Sequence, residues 1–301
     1  MAEQTQERCG VVAVLGAPNA GKSTLVNQLV GQKVAITSAK AQTTRARLLG
    51  IALAGGTQMI LVDTPGIFAP RRRLDRAMVS AAWEGAVSAD AVMLVVDPVK
   101  QRRHELMPLL EQLKARTERK LLVLNKVDIS KKEPLLALAQ ELTEEADFAE
   151  VFFVSALTGD GVAELKQHLA ELMPQGPWHY PEDQVSDASE RLLAAEITRE
   201  QVYAQLHDEL PYDAAIRPES YTEKPDGSVE IRQQLVIARS SQKPIVLGKG
   251  GQRIRKIGEA ARKELSDLLG RKVHLFLHVK VDERWAENRE IYEEIGLDWV
   301  G

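Results

Sequence analysis

The chain has 301 residues, 44% apolar and 27% charged, a balance that excludes a disordered polypeptide and leaves enough length for two domains. Its formal charge of -4 excludes a general affinity for nucleic acid, so any such affinity has to come from a local patch. The single cysteine, Cys9, excludes an internal disulfide framework, fits a reducing compartment and reads as a small buried hydrophobe.

Up to about Met173, short β-rich runs alternate with longer amphipathic segments. The runs are Val11–Leu15, Met59–Val62, Ala91–Val96, Leu121–Leu124 and Val151–Val154, with Lys22–Val30 and Arg102–Lys114 among the amphipathic segments. This alternation predicts an α/β domain over 1–173, a mostly parallel sheet with helices on both faces and with chemistry on the loops at the carboxyl ends of the strands. Residues 174–188, with Pro174, Pro177 and Pro181, read as a stiff, extended connector. Beyond it, 189–301 reads as a smaller α+β domain. A helix is expected from the cap Ser189 to Leu210, where Pro211 stops it, strands at Val229–Arg239 and Val273–Val281, and between them a helix at Gln252–Leu269. That last helix carries Ile254, Ile257, Ala261, Leu265 and Leu268 on one side. No run approaches 18 apolar residues, and Met1–Gln6 has neither the basic nor the apolar part of a leader, so a cytoplasmic location is expected.

Gly16-Ala17-Pro18-Asn19-Ala20-Gly21-Lys22-Ser23, directly after the first strand, forms a phosphate cradle into which Thr24 continues. Gly16 and Gly21 let backbone N–H groups turn toward a β-phosphate, Lys22 reaches the β- and γ-phosphates, and Ser23 offers a hydroxyl to Mg²⁺. Asn125-Lys126-Val127-Asp128, at the end of a later strand, selects the base. Ionised Asp128 only accepts hydrogen bonds, so it suits N1–H and N2–H of guanine and would stand unpaired against adenine. Such a mismatch discriminates by roughly four orders of magnitude. Asp63-Thr64-Pro65-Gly66 places Asp63 to hold Mg²⁺ through water and the Gly66 N–H to meet the γ-phosphate. Thr44 and Thr43, in Gln42-Thr43-Thr44-Arg45, are both candidates for a further Mg²⁺ ligand, and Ser155-Ala156-Leu157 would complete the base pocket through the Ala156 N–H and guanine O6.

These motifs in this order resemble the translation-factor-related class of P-loop GTPases. Trp178–Asp183, Ala195–Glu200 and Glu209-Leu210-Pro211-Tyr212 narrow the resemblance to the Era family, over nearly the whole chain. Val246–Gly258 holds a Gly-x-x-Gly loop opening a helix, which resembles the KH motif, here expected as type II. Gly248, Lys249, Gly250, Gly251, Arg253, Ile254, Arg255 and Lys256 are the candidate RNA contacts. The glycines let the loop approach a single-stranded backbone, the helix N-terminus faces phosphate, and an apolar groove takes unstacked bases. Between Arg239 and Lys280 stand eleven cations and three acids, the local patch that phosphate affinity requires.

The resemblance implies GTP and GDP as ligands, hydrolysis of GTP, the 3′ end of 16S ribosomal RNA as partner, and a task in 30S subunit maturation, with the protein a monomer. Nucleotide-dependent ordering of Thr44 and Gly66 is expected to act on the arrangement of the two domains. Lys22, Thr44, Asp63, Gly66 and Asn19 form the candidate catalytic set. Ile67 follows Gly66 where many GTPases carry a water-orienting glutamine, so slow unaided turnover is expected. Two readings of Asn19 stay open, a contribution to K⁺ binding in which the cation acts as an arginine finger would, or bracing of the loop. An RNA-binding scaffold without functional turnover is the alternative function. Peripheral association with the inner face of the cell membrane is a further implication of the resemblance, though neither terminus offers an amphipathic basic helix as anchor.

Overall fold

The computed structural model describes residues 7–38, 40, 43–101, 103–208 and 210–300. The expectations that touch Met1–Gln6, Gln42, Arg102 and Glu209 lie outside the described residues. Two compact units form, the first from Met1–Ala35, Ala46–Pro70 and Met78–Asp187, the second from Ile36–Arg45, Arg71–Ala77 and Ala188–Gly301.

The first unit is built on β1 (Arg8–Leu15), α1 (Lys22–Val30), β2 (Leu48–Ala54), β3 (Thr57–Asp63), α2 (Arg73–Glu84), β4 (Ala91–Val96), α3 (Arg103–Lys114), β5 (Arg119–Leu124), α4 (Lys132–Ala146), β6 (Glu150–Phe153) and α5 (Val162–Leu172). The first turn of α2 is counted with the second unit. The sheet runs β2-β3-β1-β4-β5-β6. All neighbours are parallel except β2, which pairs antiparallel with β3. The period of two in each central strand splits its residues between two apolar layers. Val12, Val14, Met93, Val95, Leu121 and Val123 bury with Leu25 and Leu29 of α1 and Leu165 and Leu169 of α5. Ala13, Leu15, Val92, Leu94, Leu122 and Leu124 bury with Leu106 and Leu110 of α3 and Leu142 of α4. At roughly 2 kcal/mol for each fully buried Leu or Val, these two layers hold the loops at the strand ends to a common frame.

β2 is absent from the sequence reading. It forms the edge of the sheet beside β3, and Gly55-Gly56 between the two strands makes the tight hairpin turn, with Gly55 at φ 57°. The segment after Met173 is no free-standing spacer, since it is fastened along this unit. Trp178 Nε1 donates to Gly56 O at 3.1 Å, and Ile51 N to Val185 O at 2.8 Å. Fully buried Gln58 accepts from the N–H groups of His179 and Tyr180 at 2.9 and 3.0 Å.

The second unit contains α6 (Glu190–Gln205), β7 (Ala214–Glu223), β8 (Val229–Ile237), α7 (Lys243–Leu247), α8 (Gln252–Leu269), β9 (Val273–Val281) and α9 (Arg289–Glu294). Ser189 caps α6 as its sequence suggests, its side chain accepting from Leu192 N, but the helix ends at Gln205, five residues before the expected stop. The sheet is β7-β8-β9, with β7 antiparallel and β9 parallel to β8. β7 also went unread, because Pro218 and a register shift beside it break its alternation. Val229, Ile231, Leu235 and Ile237 of β8 bury against Ile257, Ala261 and Leu265 of α8.

The segment Ile36–Arg45 is part of this second unit. Ile36 joins its core, and Glu200 accepts from Thr37 N at 2.9 Å. Buried Arg45 donates to the carbonyls of Ala214 at 2.8 Å, Tyr212 at 3.1 Å and Pro211 at 3.4 Å. Arg72 pairs with Asp213 at 2.9 Å, and Arg73 stacks on Trp299. Arg72 and Arg73 are thus tied to other parts of the unit, while the Arg71 side chain is exposed.

Candidate functional site

β1 ends at Leu15 and the loop that follows turns through residues that only glycine occupies without strain. Gly16 has φ 150°, and a Cβ there would stand 2.3 Å from Val95 O. Gly21 has φ 95° at the N-cap of α1, and a Cβ there would stand 2.2 Å from Asn125 Nδ2. Asn19 also takes a positive φ of 63°. The loop therefore wraps the start of α1 with its N–H groups available to an anion.

Lys22 is buried, and its Nζ donates to the carbonyls of Gly16 and Ala17, both at 3.1 Å. Burial pushes its pKa down to about 8 against the opposing pull of Asp63. A phosphate arriving here would restore the ammonium charge. Ser23 Oγ donates to Asp63 Oδ2 at 2.7 Å. These are hard oxygen donors, converging at the mouth of a phosphate loop, which is the chemistry Mg²⁺ takes. Thr64 is turned away, its hydroxyl donating to Val14 O at 2.6 Å. Gly66 lies against the loop, where a Cβ would come within 2.7 Å of Pro18 N and Cγ. Ile67 N donates to Gly16 O at 3.0 Å, and the Ile67 side chain packs against the apolar layer under α3 and α4.

The base motif is knitted to this loop through Asn125, which is 2% exposed. Its Nδ2 donates to Ala20 O at 2.9 Å, and its Oδ1 accepts from Lys126 N at 2.8 Å and from Ala156 N at 2.9 Å. The Ala156 N–H expected to face guanine O6 is here committed to Asn125. Lys126, at φ 64°, donates from Nζ to Asn19 O at 2.8 Å and to Asp97 Oδ2 at 2.6 Å. Asp97, 1% exposed, carries no motif of its own, yet it follows directly on β4, the kind of strand end where the phosphate and base motifs fall. Asp128 is the middle residue of the short turn Val127–Ile129, Ser155 is fully buried, and Leu157 is 76% exposed. The structure thus brings together Gly16 to Ser23, Asp63 to Gly66, Asn125, Lys126 and Ala156. Thr43 and Thr44 belong to the second unit, where Thr43 Oγ1 donates to Lys40 O at 3.0 Å and Thr44 is buried.

In the second unit the Gly-x-x-Gly loop bends through Gly248 (φ 71°), Gly250 (φ 59°) and Gly251 (φ 76°) before α8. A Cβ on Gly248 would stand 2.8 Å from that of Arg253. The candidate RNA contacts other than Gly250 divide between two hollows. Gly248, Lys249, Arg253 and Lys256 line one of about 450 Å³ with Gln205 and Gln252. Gly251, Ile254 and Arg255 line a groove of about 540 Å³ with Gly258, Glu259, Arg262, Leu275 and Leu277. The sequence signals Leu275 and Leu277 only as core-facing positions of a strand; both are only half-buried and form an apolar wall. The loop N–H groups and the cations suit a phosphate backbone, and the apolar wall suits bases.

Residues 11–126 match the family model of the 50S ribosome-binding GTPases, and residues 209–286 match that of the KH domain. GTPase Era of Erythrobacter litoralis is 80% identical over 297 residues, covering 97% of this chain and 98% of that protein. GTPase Era of Maricaulis maris is 52% identical over 309 residues, with 98% of each covered. Among solved structures, Era in complex with MgGDPNP and nucleotides 1506–1542 of 16S ribosomal RNA is 35% identical with a TM-score of 0.91, covering 96% of this chain and 99% of that one. A variant of Aquifex aeolicus Era bound to GDP and aluminium fluoride matches at 35% identity and a TM-score of 0.90 over the same shares.

Proposed function

The chain belongs to the Era family of GTPases, and we propose that it binds the 3′ end of 16S ribosomal RNA through its KH domain and serves 30S subunit maturation. The observation that carries this reading is the full-length likeness to a relative solved with both MgGDPNP and that RNA segment. The division of labour follows the two units: nucleotide chemistry in the first, along which the segment up to Asp187 is fastened, and RNA in the second, to which Ile36–Arg45 and Arg71–Ala77 also belong.

In the nucleotide site, Gly16 to Thr24, Lys22 among them, hold the phosphates, Asp63, Gly66 and the backbone of Thr64 and Pro65 line the γ-phosphate side, and Asn125, Lys126, Asp128, Ser155, Ala156 and Leu157 form the base pocket. Ser23, Asp63 and one of Thr44 or Thr43 would hold Mg²⁺, which when bound neutralises charge on the β- and γ-oxygens. Ile67 packs into the core, so the attacking water is oriented by backbone groups or by a cation near Asn19. Asn19 O accepts from Lys126 Nζ, which ties this loop residue to the base motif, and the two readings of the Asn19 side chain, K⁺ binding and bracing of the loop, both stand.

Thr44 is followed directly by Arg45, whose guanidinium grips the carbonyls of 211, 212 and 214. Holding or releasing Thr44 with the γ-phosphate would pull on those carbonyls and on β7 behind them, which gives the nucleotide a covalent route into the RNA-binding unit. Among the described residues no helix is long and apolar enough to cross a membrane. We place the protein in the cytoplasm as a monomer, with any membrane association peripheral.

Crosslinking to RNA in cells tests the reading. The intact chain should recover the 16S 3′ end, and Gly248→Asp with Gly251→Asp should lose it. Lys22→Ala should impair maturation; full maturation without nucleotide binding would instead make the first unit a scaffold.

A further inference from the structure

The far edge of the first unit's sheet is bare. β6 pairs with β5 alone, and Val154 N donates to Leu124 O at 2.9 Å. By the period of two, Phe152 turns the same way, so the N–H and C=O of Val151 and the N–H of Phe153 point out from the sheet. None of these three groups has a hydrogen-bond partner among the described residues. Phe153 O is closed off by the loop before α5, where a Cβ on Gly161 would stand 2.4 Å away. Bare edges are commonly blunted by Lys or Pro, and Glu150–Phe153 contains neither.

Beside that edge, between β6 and α4, lies a hollow of about 440 Å³. Val151 and Phe153 line it from the strand, and Ala139, Gln140, Thr143 and Glu144 from the helix. Ala139 is too short to cover Phe153, which is left 37% exposed. Leu136, one turn before Gln140 on the same helix face, is 50% exposed and lengthens the apolar strip.

The charge around the hollow is of one sign. From Lys132 to Asp147 stand five acids, Glu133, Glu141, Glu144, Glu145 and Asp147, against Lys132. Glu145 is turned to α3, where Arg103 and Lys114 neutralise it, and on the strand Arg119 and Glu150 pair with each other. Glu133 and Glu144 recur on the face of Leu136 and Gln140, and both are exposed. Among the described residues Glu144 accepts only from the uncharged amide of Gln140, at 3.1 Å. A surface of this sign repels a phosphate backbone and attracts cationic side chains.

We propose that this edge is a docking site for an extended, lysine- or arginine-rich protein segment that adds a strand beside β6, drops a large apolar side chain between Phe153 and α4, and lays its cations along Glu133 and Glu144. Every second side chain of an added strand falls on the α4 side, so one anchor enters the hollow while its neighbours stay in water. The main-chain bonds supply affinity, the hollow a preference for an apolar anchor, and the acids a preference for basic flanks. β6 is short and offers about three main-chain bonds, which makes the contact weak and reversible. It depends on neither nucleotide hydrolysis nor RNA.

The test uses the full chain loaded with GDP and a fluorescein-labelled heptapeptide in which lysine alternates with valine and leucine, read by anisotropy. Saturable binding is expected, weakened about tenfold or more when the lysines become glutamates or when alternate amides along one edge of the peptide are N-methylated. Glu133→Lys combined with Glu144→Lys should weaken it about tenfold, and Phe153→Ser likewise, with the Kd for a fluorescent GDP unchanged in both. The charge variant alters exposed residues alone, so it keeps the test decisive if Phe153→Ser folds poorly. Absence of saturable binding, equal binding of the N-methylated peptide, or equal binding by the charge variant overturns the proposal. So does a dimer in sedimentation equilibrium that Phe153→Ser dissolves, which would make a second copy of this chain the occupant.

Discussion

Truncating Asn125 to alanine removes the amide that ties three loops of the nucleotide site together. Two of its partners, Ala20 O and Ala156 N, each at 2.9 Å, lie in buried surroundings and would be left with no replacement. The third, Lys126 N at 2.8 Å, is only partly buried and can turn to water. Each stranded buried group costs about 1–3 kcal/mol, so the first unit should lose about 4 kcal/mol. For a unit of this size, that lowers Tm by about 8–16 °C. Calorimetry of the nucleotide-free protein reads the change. Because Ala156 and the phosphate loop also lose their registration, the Kd for a fluorescent GDP should rise on the order of 100-fold. A fall in Tm below about 3 °C would refute the reasoning, since it would mean that other contacts hold the three loops.

Lys22 should make nucleotide binding pH-dependent. With its pKa pushed down to about 8 in the free protein and raised by phosphate in the complex, binding takes up a proton. GDP should therefore bind about tenfold more weakly at pH 9 than at pH 7 by calorimetry. The same depressed value means that the unfolded chain holds the proton longer, so the nucleotide-free protein should gain stability as pH rises from about 8 toward the ordinary lysine range. Gly21→Ala should abolish measurable GTP binding, because the new Cβ would meet Asn125 Nδ2 at 2.2 Å. Gly31→Ala, at φ 91° with nothing within 4 Å, should cost only backbone strain of about 1–2 kcal/mol and leave binding unchanged. Arg45→Met should destabilise the second unit by about 3 kcal/mol, since three main-chain carbonyls lose a buried donor, and should also narrow the difference in RNA affinity between GTP- and GDP-loaded protein.

The parts of the fold that the sequence discloses are those where burial alone decides the residue type. β1, β4 and β5 are apolar on both faces because helices cover both, so they stand out as runs. β2 was harder because it borders the sheet and follows a polar stretch, although Leu48–Ala54 and Thr57–Asp63 flanking Gly55-Gly56 carry a hairpin signal. β7 is hidden by Pro218. Within the site, residues that touch phosphate or base are constrained in type and spacing, and so can be read as motifs. Asp97 and Gln58 act on other protein groups, Lys126 and the backbone of 179–180, and any chain position that reaches those groups would serve.

The most direct measurement is competition between ATP and GTP for the site occupied by a fluorescent GDP, at fixed Mg²⁺, followed by hydrolysis of each nucleotide with and without the 16S 3′ end RNA. Preference for GTP by at least about a thousandfold, with phosphate released from GTP alone, is the expected result. Comparable displacement by ATP, or phosphate release from both, would contradict a guanine-specific GTPase held together through Asn125 and Asp128.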